Sequence, residues 1–180
     1  MAIGILYVDD HEVFHECVRT LINIQPEMKI VGFAGNGRVA VEKARELKPD
    51  VVIMDIALPV LNGIDATRKI VAENPLIKVL ALSSFTDRRN VIDMLQAGAR
   101  GYVVKEGAFD ELLHAIKAVG AGKMYLSPSI TNKVSDDYLA LTGDEHEESE
   151  DLLSSREREI LQLVAEGHTS RDIADQLGVS

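Results

Sequence analysis

The first 125 residues of this sequence predict an α/β domain built on a five-stranded parallel sheet, and three observations predict it. Short, β-rich apolar runs alternate with amphipathic stretches five times along the segment. The runs are close to continuously apolar, as strands covered by helices on both faces are. Several of them stop at a carboxylate, a hydroxyl or a lysine, and open parallel sheets place their sites at that end of the strand.

Each element follows in order. IGILYV (3–8) is the first strand and runs straight into Asp9 and Asp10. HEVFHECVRTLINI (11–24) sets Val13, Phe14, Cys17, Val18, Leu21 and Ile22 on one helical face, which makes Cys17 a core thiol. KIVGFA (29–34) is a strand ending in Ala34 and Gly35, and NGRVAVEKAREL (36–47) is an amphipathic helix stopped by Pro49. DVVIMD (50–55) is a strand closed by Asp55, followed by the helix GIDATRKIVAEN (63–74). KVLALSS (78–84) ends in Ser83 and Ser84, and DRRNVIDMLQAGA (87–99) is the helix after it, closed near Gly98. GYVVK (101–105) ends in Lys105, and FDELLHAIKAVGAG (109–122) completes the fifth unit.

Composition bounds the rest. The chain has 180 residues, 46% of them hydrophobic and 27% charged, an ordinary globular balance. It has no apolar run of membrane-spanning length, and MAIGILYVDDHE turns acidic too early for a secretory leader. One cysteine permits neither an internal disulfide nor a CxxC metal site and fits a reducing cytoplasm. The net charge of −10 argues against nucleic-acid binding by the whole chain. That charge is concentrated, however. Residues 1–125 carry 15 bases and 16 acids, whereas 126–152 carry Lys133 against eight acids, centred on GDEHEESED (143–151). Such a run reads as a solvated linker. The organisation is therefore a domain at 1–125, a linker at 126–152 with a helix expected over SPSITNKVSDDYLAL (127–141), and a small piece at 153–180.

With the flavodoxin-like strand order 2-1-3-4-5, Asp9, Asp10, Asp55, Ser83 and Lys105 converge on one pocket. Carboxylates so close raise one another's pKa unless a cation joins them, and a hard divalent ion such as Mg²⁺ suits the set. Lys105 is no ligand for such an ion, but it pairs with a carboxylate or holds a phosphoryl oxygen. An aspartate in these surroundings is equipped to accept a phosphoryl group as a covalent nucleophile. His11 sits beside the acidic pair but matches no ligand spacing, and it reads as an exposed residue at a helix start.

The motifs YVDDHE (7–12), VVIMDIALPVLNGID (51–65), VLALSS (79–84) and GYVVKEG (101–107) resemble those of bacterial response-regulator receiver domains. The resemblance implies Asp55 as phosphoacceptor and a Mg²⁺ site made by Asp9, Asp10, Asp55 and the backbone carbonyl of Ala57. It also implies Ser83 as switch hydroxyl, Tyr102 as switch aromatic and Lys105 as the phosphoryl-binding lysine, with a sensor histidine kinase as donor. Ser84 is one residue off the motif and has no role. Phosphorylation would recruit Ser83 and Lys105 and let Tyr102 turn inward. Ala57 and Phe85 flank the path of an attacking water, and neither orients one, so slow autodephosphorylation is expected. Activation implies a homodimer.

LSSREREILQLVAEG and SRDIADQLGVS, within 153–180, resemble the start of the LuxR-type helix-turn-helix of NarL/FixJ regulators. The resemblance implies transcription control through DNA. It also places the recognition helix beyond Ser180, so the expectation is an incomplete all-α segment and no specific DNA binding by these 180 residues. Other readings are a receiver acting through a protein partner, separable from the first by finding the recognition helix encoded downstream, and a phosphohydrolase. Phosphohydrolases of the haloacid-dehalogenase-like kind need a second aspartate two residues after the nucleophile as general acid, where Ala57 stands. A nucleotide-binding domain would need a Gly-rich loop after the first strand, and none follows.

Overall fold

The computed structural model describes residues 2–107, 109–131 and 163. Five strand–helix units follow in order: β1 (Ile3–Val8), α1 (Glu12–Asn23), β2 (Met28–Ala34), α2 (Gly37–Leu47), β3 (Val51–Met54), α3 (Gly63–Glu73), β4 (Lys78–Ser83), α4 (Arg88–Gln96), β5 (Gly101–Val104) and α5 (Phe109–Gly120). With a short further strand, β6 (Tyr125–Leu126), the sheet runs β2-β1-β3-β4-β5-β6, and every pairing is parallel.

The strand count is thus six where five were expected. The addition, β6 (Tyr125–Leu126), is two residues long and carries no readable periodicity. It forms because the outer edge of β5 has open backbone groups: Tyr125 N donates to Arg100 O at 3.1 Å and Ser127 N to Tyr102 O at 2.9 Å.

Local chemistry sets the helix ends. The side chains of Asn36, Asn62 and Asp87 accept from the backbone N–H of Val39, Asp65 and Asn90, capping α2, α3 and α4. Past the end of α4, Gly98 takes φ +106°, a conformation that costs residues with a Cβ.

Strand alternation divides the core in two. Leu6, Val8, Val52, Met54, Val79, Ala81 and Tyr102 face α2, α3 and α4, and Ile130 joins this side. Ile5, Tyr7, Ile53, Leu80, Leu82 and Val103 face Val18 and Ile22 of α1 and the buried side of α5.

Helix α1 departs from its expected packing. Val18 and Ile22 are buried, but Val13 (77% exposed), Phe14 and Cys17 are not, so Cys17 is no core thiol. The apolar stripe is wider than the part of the helix that meets the sheet, and only its Val18 and Ile22 side is covered.

A helical turn over 128–131 begins the predicted linker helix, and Ile130 is fully buried. The remainder of that helix, the acidic run and the two helices expected in 153–180 lie outside the described residues, apart from Leu163, which is buried with Val60 packed against it. No helix among the described residues is long and apolar enough to cross a membrane.

Candidate phosphoryl-acceptor site

Continuation of the sheet's own hydrogen bonding delivers the site. Just past the strand ends, Asp9 N donates to Ala34 O, Asp55 N to Val8 O and Lys105 N to Ser83 O, each at 3.0 Å. The backbones of Asp9, Asp55 and Lys105 are therefore placed by β1, β3 and β5 at one edge.

Their side chains close on each other. The Lys105 ammonium donates to Asp9 Oδ2 and to Asp55 Oδ2, both at 2.7 Å. Asp9 is fully buried and Asp55 nearly so, while Asp10 is exposed. Asp55 Oδ1 accepts from Ile56 N at 2.7 Å. Burial, reinforced by the charge on Asp9, raises the Asp55 carboxyl above its ordinary value despite Lys105. Burial also pushes Asp9 upward, but Lys105 and the N–H groups of His11 outweigh it and hold Asp9 low. Lys105 is desolvated, yet its two carboxylate partners keep it above the ordinary lysine range.

Asp9, Asp10, His11 and Asp55 each offer a ligand atom, all within 4.8 Å of one another. Hard carboxylate oxygens with one exposed member fit a divalent cation that enters from solvent. His11 is exposed, as expected of a helix start, but it is not idle. Its Nδ1 lies 3.0 Å from Asp9 Oδ1 and 2.9 Å from Asp10 Oδ1, and its backbone N–H donates to Asp9 Oδ1 at 2.9 Å.

Ser83 and Tyr102 form a second group, joined through Phe85. Phe85 N donates to Ser83 Oγ at 3.1 Å, and the Tyr102 hydroxyl donates to Phe85 O at 2.7 Å. Tyr102, expected to turn inward on phosphorylation, is already fully buried, and that burial pushes its hydroxyl up to about 12. Ala57, Ser84 and Phe85 are all exposed.

The loop behind Asp55 is held by a close approach. A Cβ on Gly63 would lie 1.9 Å from the Asp55 carbonyl oxygen, so only glycine lets α3 start against the end of β3. Val60, in the same loop, takes φ +68°, a strained conformation for a β-branched residue.

Sequence reasoning missed Tyr7. Its hydroxyl donates to Asp9 Oδ2 at 3.1 Å from a fully buried ring. A signal existed, since residues two apart on a strand share a face, and Tyr7 carries the one hydroxyl in IGILYV.

A buried aspartate at the carboxyl edge of a doubly covered parallel sheet, with a lysine and an acidic pair around it, is the arrangement of a phosphoryl-accepting signalling domain. Residues 5–117 match the response regulator receiver domain, and residues 151–180 match the bacterial regulatory proteins of the luxR family. The chain belongs to the two-component response regulators, with a receiver followed by a LuxR-type region. It is 35% identical over 191 residues to the transcriptional regulatory protein DegU of Brevibacillus brevis, covering 99% of this chain and 81% of that protein. The oxygen regulatory protein NreC of Staphylococcus carnosus (strain TM300) is 34% identical over 180 residues, covering 98% of this chain and 83% of that one. Among solved structures, a LuxR-family two-component response regulator from Aurantimonas sp. SI85-9A1 matches with TM-score 0.74 and 33% identity, covering 77% of this chain and 99% of that one. The chain is thus a phosphorylation-dependent response regulator of the kind that controls transcription.

Proposed function

We propose that Asp55 takes a phosphoryl group from a phosphohistidine on a sensor kinase, and that the change is relayed to a DNA-binding output in a homodimer. The observation that carries this reading is the Lys105 ammonium shared between buried Asp9 and Asp55 at 2.7 Å each. The domain division is a receiver at 1–125, a linker at 126–152 and a LuxR-type segment at 153–180. The setting is cytoplasmic.

In the reaction an Asp55 carboxylate oxygen bonds to phosphorus as the donor's P–N bond breaks, and the imidazole leaves with that electron pair. Asp9, Asp10, Asp55 and the Ala57 carbonyl would hold Mg²⁺, which when bound would supply positive charge against the phosphoryl oxygens. Lys105 turns from the carboxylates toward a phosphoryl oxygen, replacing one anionic partner with another. Ser83 turns its hydroxyl to donate to a second oxygen, and in doing so releases Phe85 N. The Phe85 carbonyl is the acceptor for Tyr102, so the local charge change reaches the β4–α4 loop and β5 through one residue. The receiver thereby assists its own phosphorylation and dephosphorylation and has no separate substrate.

Sedimentation of the full chain, with and without acetyl phosphate and Mg²⁺, tests the relay. Wild type is expected to shift from monomer to dimer and Asp55→Asn to stay monomeric. A wild type that remains a monomer when fully phosphorylated would overturn the dimer.

Slow dephosphorylation follows from the mouth of the site, where Phe85 is 43% exposed and, with Ala57, orients no water by side-chain hydrogen bonding. Phe85→Glu is expected to shorten the phospho-Asp55 lifetime by about one order of magnitude, because a carboxylate there positions and polarises the attacking water. The check is the decay of phosphoprotein after donor removal, and an unchanged lifetime would contradict it.

A further inference from the structure

We infer that Tyr7 is a positioning residue of the cation site: its hydroxyl holds Asp9 Oδ2 toward Lys105 and so limits how tightly the site takes a divalent cation. The inference rests on the reading of Asp9, Asp10 and Asp55 as that site.

Asp9 is saturated with donors. Oδ2 accepts from the Tyr7 hydroxyl at 3.1 Å and from Lys105 at 2.7 Å. Oδ1 accepts from the His11 backbone N–H at 2.9 Å and lies 3.0 Å from His11 Nδ1. A carboxylate offers about four lone-pair directions, so a cation that approaches Asp9 competes with protein donors for each of them.

The donors differ in how readily they leave. The His11 side chain is 62% exposed and is free to swing into solvent. Lys105 is the group that a phosphoryl oxygen draws away. Tyr7 has neither freedom. Its ring is fully buried, edge-on to His15 with centroids 5.5 Å apart and edge-on to Phe33 at 6.2 Å. His15 in turn stacks on Phe33 at 5.0 Å, and its Nε2 donates to the Asp9 carbonyl at 2.7 Å. The three rings thus brace Asp9 at both its main chain and its side chain. Tyr7 is the donor that stays on Oδ2 when Lys105 moves, and by drawing charge from that oxygen it weakens the pull of Asp9 on a cation.

The test is titration of the full chain with Mg²⁺ alone, followed by calorimetry and near-ultraviolet absorbance. The chain has four tyrosines and no tryptophan, so a tyrosine difference band is readable. Tyr7→Phe is expected to bind Mg²⁺ about three- to tenfold more tightly, because the freed Oδ2 becomes the better cation partner. Wild type is expected to show a Mg²⁺-induced tyrosine difference band that Tyr7→Phe lacks. With acetyl phosphate, the variant should reach half its own maximal phosphorylation rate at proportionally lower Mg²⁺. Should Tyr7→Phe fail to fold, Tyr102→Phe, Tyr125→Phe and Tyr138→Phe combined leave Tyr7 as the sole tyrosine, and the band should persist there. Equal Mg²⁺ affinity in wild type and Tyr7→Phe, or absence of a band from the single-tyrosine protein, would overturn the role of Tyr7 and leave the cation site standing. A wild type that takes up no Mg²⁺ would overturn both.

Discussion

Lys105→Met is expected to slow phosphorylation by acetyl phosphate about a hundredfold, the size of effect seen when a fixed donor to developing charge is removed. Methionine keeps much of the length and apolar character of the lysine stem, so the β5 end can fold as before. The loss is the ammonium that sits 2.7 Å from both Asp9 and Asp55. Two buried carboxylates then face each other without it, and the variant is expected to be less stable by about 2 kcal/mol at neutral pH, below the full cost of an orphaned buried charge because exposed Asp10 keeps the site open to water.

The pH dependence has a definite sign. Asp9 is held low in wild type, so its pairing stabilises the fold above the ordinary carboxylate range and fades as the pH falls through its lowered value. Lys105 is held high, so its contribution is complete below the ordinary lysine range and is lost as the pH rises through its raised value. Asp55, raised by burial, acts in the opposite sense to Asp9, because the folded state takes up its proton first and acidification through that raised value favours folding. Without Lys105, burial and mutual repulsion raise both carboxyls. The stability deficit of the variant is therefore expected to shrink between pH 7 and pH 5. Thermal unfolding at the two pH values checks this, and a constant or growing deficit would contradict it.

Gly63→Ala is expected to cost about 3 kcal/mol, at the upper end for overpacking, and to lower the melting temperature by roughly 10 °C. The added methyl would meet backbone rather than a side chain that can rotate away: the Asp55 carbonyl oxygen at 1.9 Å, its carbon at 2.8 Å and Ile56 Cα at 2.9 Å. Relief requires either α3 or the end of β3 to shift. The second movement displaces the Ile56 N–H from Asp55 Oδ1, so the surviving folded protein is also expected to phosphorylate more slowly. Melting within two degrees or so of wild type, with an unaltered phosphorylation rate, would show that the loop has slack the packing denies.

The strand-end residues were legible in the sequence because parallel strands announce themselves as apolar runs and their termini share an edge. Asp9, Asp55 and Lys105 needed only the strand order to meet, and the same logic placed Ser83 at the neighbouring end. Helix α1 was misread for a physical reason: periodicity reports which residues share a face, and the sheet covers only the side bearing Val18 and Ile22. Cys17 lies beyond that cover. Strand β6 is too short for any period, and it forms to satisfy the edge of β5. Tyr7 was overlooked and His11 set aside as site residues because an aromatic in a strand reads as core and a histidine at a helix start reads as surface. Both readings hold for the ring, while the hydrogen-bonding atom of each side chain does something else.

The central claim is that Asp55 is the phosphoacceptor, and intact mass is its most direct test. Wild type incubated with acetyl phosphate and Mg²⁺ is expected to gain about 80 Da, one phosphoryl group, and Asp55→Asn to gain nothing under the same conditions. An equal gain in Asp55→Asn would place the phosphoryl group elsewhere and contradict the assignment.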